Sequence, residues 1–297
     1  IPDLLAVASF YKDWGGIGGT TNFLAYGDFP ASEKEPESLY LPRGAVFKRN
    51  LSGVEAVDQQ KITEDVTRAW YEDGAAKHPW EGETKPLQED PQYRPGSGKY
   101  TWMKAPRYAG KSMEVGPLAR VLIAYGKGHS DIKPLVDNTL KTLGVPAAAL
   151  FSTLGRTAAR GLETLAIGDA KLGWVMDLVE NLKGGDTQTY EPYEMPASAK
   201  GVGLNDVPRG ALGHWIKIED GKIGNYQYVV PSTWNLCGRD AQGQLSPVEE
   251  ALIGTPIADP KQPLEVLRTV HSFDPCIACA VHVIDPSSNE VYKIRVS

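Results

Sequence analysis

Residues 146–182 carry apolar side chains at 150, 154, 158, 162 and 165, then at 172, 175, 178, 179 and 182. That recurrence predicts a core helix of about 35 residues, with room for a kink at Gly168 or Gly173. Two shorter helical patterns precede it, on Val115, Leu118, Val121 and Leu122, and on Leu135, Leu140 and Leu143. Gly144-Val145-Pro146 ends one helix and opens the next. Residues 3–13 also read as helix, stopped by the glycine cluster of residues 15–19. That cluster lacks the Lys-Ser/Thr of a phosphate loop and a strand before it, so it reads as a tight turn. Residues 22–29 and 39–49 have strand character, with a bend at residues 42–45. Residues 63–70 read as a helix capped by Thr63, with Glu64 and Asp65 at its positive end.

Residues 74–112 are rich in Pro, Gly and aromatics, a long irregular stretch of the kind that forms interfaces or functional loops. Residues 190–207 read as a polar connector. Residues 212–219 and 223–230 then alternate like two antiparallel strands joined by Asp220-Gly221, a hairpin dipeptide. Such a pair brings Pro208-Arg209-Gly210 beside Pro231-Ser232-Thr233 and presents Arg209 and Ser232 toward one pocket. The fold class expected is α+β and helix-rich: long core helices with small antiparallel β hairpins. Arg156, Arg160 and Glu163 fall within two turns of the long helix as i, i+4 and i, i+3 neighbours, and a helix–helix salt link is a better reading of them than catalysis.

The chain is long enough, at 297 residues, to bury a sizeable core as one large domain or two small ones. A formal charge of −6 speaks against a nucleic-acid surface, which is normally basic. No apolar run approaches the roughly 20 residues that span a bilayer, and Ile1-Pro2-Asp3 opens without the pattern of a signal peptide. Membrane association is therefore expected only through partners.

Cysteine use concentrates the chemistry near the C-terminus, in Asp274-Pro275-Cys276-Ile277-Ala278-Cys279-Ala280-Val281-His282. Two thiols three positions apart and an imidazole three further on can face one centre. Such donors favour zinc, nickel, copper(I) or iron over magnesium or calcium. The spacing alone also fits half a zinc site or a redox pair. The first wants a second ligand pair, and only Cys237 remains. The second wants a βαβ context that is lacking here. Cys237 reads as a small buried residue.

The string Asp-Pro-Cys-x-x-Cys-x-x-His, followed at once by Val283, resembles the C-terminal signature of nickel–iron hydrogenase large subunits. Residues 114–120, 154–160, 208–215 and 230–235 resemble other segments of that family, most of all its uptake-type, membrane-associated members. The resemblance implies a partial large-subunit fold and a nickel–iron centre whose iron carries CN and CO. Cys276 would be a terminal nickel ligand and Cys279 a bridge from nickel to iron. Arg209 and Pro208, with Pro231 and Ser232, would line the centre, and Asp274 would hold Arg209. Cyanide nitrogens are strong acceptors that a hydroxyl and a guanidinium can satisfy. His282 would bind magnesium, together with a backbone carbonyl in residues 226–230.

The resemblance further implies reversible heterolytic cleavage of H2, with electrons passing to iron–sulfur clusters in a small subunit. It implies that residues 1–282 are the C-terminal part of the large subunit, completed by an N-terminal part with its own cysteine pair. Residues 283–297 would be an extension that a maturation endopeptidase removes between His282 and Val283, after nickel-insertion chaperones have acted. The mature enzyme would be periplasmic and membrane-associated through the small subunit, and the precursor cytoplasmic. The alternatives are an inactive precursor or scaffold bound by maturation proteins, and a nickel-free, quinone-facing respiratory-complex homologue. Intact Cys276 and Cys279 disfavour the last.

Overall fold

The computed structural model describes residues 2–30, 35, 37–87, 98–276, 281–284 and 291–294. Its helices, in chain order, are α1 (Pro2–Phe10), α2 (Pro117–Gly126), α3 (Ile132–Leu143), α4 (Thr153–Lys183), α5 (Pro231–Leu236), α6 (Pro247–Leu252) and α7 (Leu264–Ser272). The strands are β1 (Phe23–Ala25), β2 (Asp28–Pro30), β3 (Leu39–Leu41), β4 (Gly44–Val46), β5 (Ile62–Asp65), β6 (Ala105–Tyr108), β7 (Ser198–Val207), β8 (Gly210–Glu219), β9 (Lys222–Val229), β10 (Val281–Ile284) and β11 (Val291–Ile294). All strand pairings are antiparallel: β1 with β4, β2 with β3, β5 with β6, β10 with β11, and β7–β8–β9 as one sheet.

The long helix is α4, of 31 residues. It starts later than the apolar pattern implied, because residues 147–150 form a 3-10 turn first. Ser152 then caps α4, its Oγ accepting from the Gly155 amide at 2.9 Å. Only Gly fits at 155, since a Cβ there would stand 2.0 Å from the Leu150 carbonyl oxygen. The first half of α4 buries Gly155, Arg156, Ala159, Leu162, Glu163 and Ala166, while Leu172 beyond it is 71% exposed.

Strand β1 divides the interior by simple alternation. Phe23 and Ala25 face a core built from α2, α3 and α4, including Leu118, Leu122, Val136 and Leu162. Leu24 and the following Tyr26 face a second core with Ile62, Tyr108, Trp215 and Trp234. A third, small cluster of Val248, Ala251 and Phe273 joins α6 to the end of α7.

Two sequence expectations are corrected. Residues 63–70 are not a helix: β5 pairs with β6 from Ile62↔Tyr108 to Asp65↔Ala105. Glu64 and Asp65, taken as helix-end charges, are buried, and Asp65 accepts from the Thr67 and Ala241 amides. Cross-strand burial of Ile62 outweighs the local capping signal. Likewise, residues 198–207 are no connector but strand β7, paired with β8 along its whole length from Ser198↔Glu219 to Val207↔Gly210. Its residues are mostly exposed, so no hydrophobic alternation marks it; the backbone ladder orders it, with Leu204 against the second core and Asp206 buried near its end.

The expected hairpin forms as β8–β9, with Asp220 and Gly221 both at positive φ (52° and 70°), a two-residue turn matched to strand twist. At its other end the backbone of Gly210 (φ 130°) lies directly against Gly116 (φ 120°), which precedes α2. A Cβ on Gly210 would stand 2.5 Å from the Gly116 nitrogen, and one on Gly116 would stand 3.0 Å from the Arg209 carbonyl oxygen. This close backbone contact fixes where Arg209 leaves the sheet. Gly210→Ala should destabilise the fold by about 2 kcal/mol or more, through positive φ and the clash together. Gly203→Ala, where an added methyl meets nothing within 4 Å, should stay within about 0.5 kcal/mol. Urea unfolding of the two variants measures the difference.

Candidate metal centre

Helix α7 delivers the cysteine segment. Its last turn closes with Phe273 N donating to Val270 O at 3.1 Å and Asp274 N to His271 O at 2.9 Å. Asp274 then takes φ 53°, a left-handed conformation that turns the chain out of the helix toward Pro275 and Cys276. Arg209 receives it: Nε donates to the Asp274 carbonyl at 3.0 Å, and Nη2 lies 3.4 Å from its carboxylate. On the other side, buried Ser232, next to Pro231 at the start of α5, accepts from the Cys276 amide at 3.3 Å. The hairpin thus does bring residues 208–210 and 231–232 to one place, and the cysteine segment closes the gap between them. The Cys276 thiol itself is exposed.

The segments behind this turn form a set of buried charges. Arg120 pairs with Glu163 through Nε and, at 2.7 Å, through Nη2. Its Nη1 reaches Asp206 at 3.3 Å and the Val207 carbonyl at 2.9 Å, and its Nη2 reaches the Pro208 carbonyl at 3.1 Å. The turn carrying Arg209 is therefore gripped by its own backbone carbonyls. Arg156 makes two 2.8 Å bonds to Glu114, which also accepts from the Thr20 hydroxyl. Asn235 bonds the Val115 backbone twice, Oδ1 to N at 3.0 Å and Nδ2 to O at 2.9 Å. Hence residues 114–120, 154–160, 208–215, 230–235 and 274–276 meet around one centre.

Electrostatics follow from burial. Burial works against the charge of Arg120, yet the Glu163 and Asp206 carboxylates together hold it above its ordinary range. Burial pushes the Asp206 carboxyl up to about 6, with Arg120 and the Gly27 amide pulling it back. Burial lowers Arg160, opposed by Asp274 and Glu163. The helix–helix salt link expected at Arg156, Arg160 and Glu163 forms between Glu163 on α4 and Arg120 on α2, while Arg156 pairs with Glu114 just before α2 and Arg160 donates to the Ser272 carbonyl at 3.1 Å. Glu114 and Arg120 lie in the segment 114–120 that carries part of the resemblance but were given no role of their own, and Asp206 was not singled out. Arg120 had a signal, since an arginine in the apolar run 117–124 needs a buried partner.

Among the described residues no group of three or more His, Cys, Asp or Glu stands at metal-binding spacing. Cys279 lies outside the described residues, and of His282 and Val283 only the backbone is described, His282 pairing with Lys293 and Val283 with Tyr292 across β10–β11. The described residues fit part of a soft-metal centre: one open thiol, Cys276, beside a hydroxyl and a guanidinium. A second polar hollow, of about 280 Å³, is lined by Glu64, Lys104, Gln227 and the β9 residues Tyr226 and Tyr228. Glu64 Oε2 there is buried with no hydrogen-bond partner, and Lys104 Nζ stands 3.7 Å away. Burial raises this carboxyl, opposed by Lys104.

The sequence model of a family described as nickel-dependent hydrogenase matches residues 1–282, and the chain belongs to that family. It is 46% identical, over 322 aligned positions, to the uptake hydrogenase large subunit of Rhizobium leguminosarum bv. viciae, covering 100% of this chain and 54% of that relative. It is 44% identical to the hydrogenase-1 large chain of Escherichia coli K12, over 100% of this chain and 54% of that one. The structure resembles the Ni-Fe-Se hydrogenase of D. vulgaris Hildenborough in its reduced state (TM-score 0.80, 36% identity), covering 93% of this chain and 56% of that one. The helix-rich α+β fold is thus a partial hydrogenase large-subunit fold. The chain spans about half the length of the curated relatives it matches.

Cys237 is buried as expected, 2% exposed, with Arg107 Nη1 3.6 Å from its sulfur. Burial pushes its thiol up to about 11, Arg107 pulling it back. In the metal-free protein at pH 8, iodoacetamide should label Cys276 at least about tenfold faster than Cys237, because the thiolate is the nucleophile. Peptide mass spectrometry reads the two rates, and equal labelling would contradict the burial described.

Proposed function

We propose that this chain is the part of a nickel–iron hydrogenase large subunit that supplies one cysteine pair of the metal centre. The observation that carries the proposal is that Arg209, bonded to Asp274, and Ser232, bonded to the Cys276 amide, hold the segment 274–276 from two sides. Cys276 and Cys279, deprotonated, would hold nickel, with Cys279 shared with an iron carrying CN and CO. An opposing pair would come from the N-terminal part of the subunit. When bound, the centre supplies heterolytic cleavage of H2, releasing electrons to iron–sulfur clusters of a small subunit.

The residues of this chain orient and shield that chemistry. Asp274 takes Nε and Nη2 of Arg209, leaving Nη1 without a partner among the described residues. Arg209 thus offers a guanidinium donor fixed beside the cysteine segment. Ser232 Oγ accepts from Cys276, which leaves its own hydrogen for an acceptor such as an iron-bound cyanide. Pro208 and Pro231 carry no N–H and so set the backbone on either side without competing donors.

Magnesium would suit the hollow at Glu64. It keeps much of its water shell, and Glu64 Oε2 and Gln227 would take hydrogen bonds from such waters. A β9 backbone carbonyl and His282 would be its direct protein ligands. The match of the family model ends at His282, while the curated relatives align through all of this chain. Both fit removal of residues 283–297 by an endopeptidase after chaperone-assisted nickel insertion. The precursor would be cytoplasmic, and the mature heterodimer periplasmic and attached to the membrane through its small subunit.

The test is the intact large subunit, purified with its small subunit. Metal analysis should find nickel and iron in comparable amounts, and Cys276→Ser should abolish both nickel and H2-dependent dye reduction. Arg209→Lys should retain nickel and lower kcat by about 10²- to 10³-fold, the scale of losing a directed donor. A Cys276→Ser enzyme with normal nickel would overturn the reading. Intact mass spectrometry of the mature subunit should give His282 as its last residue, and retention of residues 283–297 in active enzyme would refute the processing step.

A further inference from the structure

Arg156 and Arg160 sit one turn apart on α4, and neither is the partner of Glu163, which pairs with Arg120 on α2. Both face the three residues that precede Pro275. Arg156, fixed by Glu114, lays its guanidinium 3.9 Å over the Phe273 ring. Arg160 Nη2 donates to the Ser272 carbonyl at 3.1 Å. The Val270 and His271 carbonyls already accept from Phe273 and Asp274, whereas the Ser272 carbonyl, like that of Asp274, is served by a distant arginine. A helix C-terminus favours a cation, and an orphan carbonyl there needs a donor. Ser272, Phe273 and Asp274 are thus each met by a different arginine: Arg160, Arg156 and Arg209.

Burial sharpens the point. Arg160 is partly buried and makes no direct ion pair among the described residues, and burial disfavours its charge. Its guanidinium borders a cavity of about 300 Å³ that also touches Glu163, Pro208 and Asp274. Joining α4 to α7 by packing alone would be served as well by an apolar side chain, without the desolvation cost of a cation. What an apolar side chain cannot do is fix a carbonyl in direction.

We infer that Arg160 is a positioning residue for the cysteine segment: through the Ser272 carbonyl it sets where Asp274 and Cys276 stand relative to Arg209 and Ser232. The inference rests on reading this site as the metal centre, but its geometry is testable without metal. Arg160→Ala should speed exchange of the amides of residues 273, 274 and 276 by about tenfold, with the amides of α4 and of α7 up to His271 unchanged. In the assembled, metal-loaded enzyme it should lower kcat by about ten- to 100-fold at constant KM, as a small misplacement does. It should also shift the infrared bands of the iron-bound CO and CN.

Arg160→Lys keeps a cationic donor and should restore exchange, kcat and bands to within about threefold of the parent. Should Arg160→Ala not fold, Arg160→Gln, neutral and of similar length, gives the same comparison. Parental exchange and kcat in the Ala or Gln variant would overturn the inference, as would a Lys variant no better than Ala. A parent enzyme without nickel would instead sink the metal reading, and the exchange measurement would still decide the role of Arg160.

Discussion

Arg120 is a charged side chain inside an otherwise apolar helix, and the arrangement of the centre depends on satisfying it. Left unpaired there it would cost several kcal/mol, so every structure available to this chain must bring it acceptors. Those acceptors come from separate places: Glu163 on α4, Asp206 at the end of β7, and the carbonyls of residues 207 and 208. Meeting them all ties α2, α4 and the sheet into one relation. A buried pair of this kind adds little net stability over apolar packing, but its directional demand selects one geometry. The geometry selected is the one that aims Arg209 outward.

Around it four cations, Arg120, Arg156, Arg160 and Arg209, stand with four anions, Glu114, Glu163, Asp206 and Asp274. They divide by burial. The side chains of the Arg120–Glu163, Arg120–Asp206 and Arg156–Glu114 pairs are at most 7% exposed, whereas those of Arg209 and Asp274 are 39% and 41% exposed. The inner pairs, in low dielectric, hold the backbone. The outer pair is partly exposed and fixes the backbone two residues before Cys276. Chemistry on a precise scaffold needs this division, since the group that acts must be held by groups that do not move.

The local signals along the chain were unequal guides. The periodicity of α4 and the Asp220-Gly221 hairpin were legible because each is encoded by neighbours in sequence, and the hairpin carried Arg209 and Ser232 together with it. Strand β7 was not legible, because its order comes from pairing with β8 rather than from side-chain alternation. Strand β5 was misread, because Glu64 and Asp65 imitate helix-end charges while their partners lie far along the chain, at Lys104 and Ala241. At Arg156, Arg160 and Glu163 the sequence indicated a link to another helix, while the partners themselves, Glu114, the Ser272 carbonyl and Arg120, were not legible because they lie far along the chain.

By itself the sequence determined which residue types are present to do chemistry and where they cluster along the chain: two thiols and an imidazole in residues 276–282, and polar groups at both ends of a hairpin. Spacing encodes that much, because hairpins and helical turns are local. Only the tertiary structure decided which arginine meets which acceptor, and that the turn before Cys276 is held from three sides. Those choices depend on desolvation and on donor direction, and both exist only once α2, α4, α7 and the sheet exclude water together.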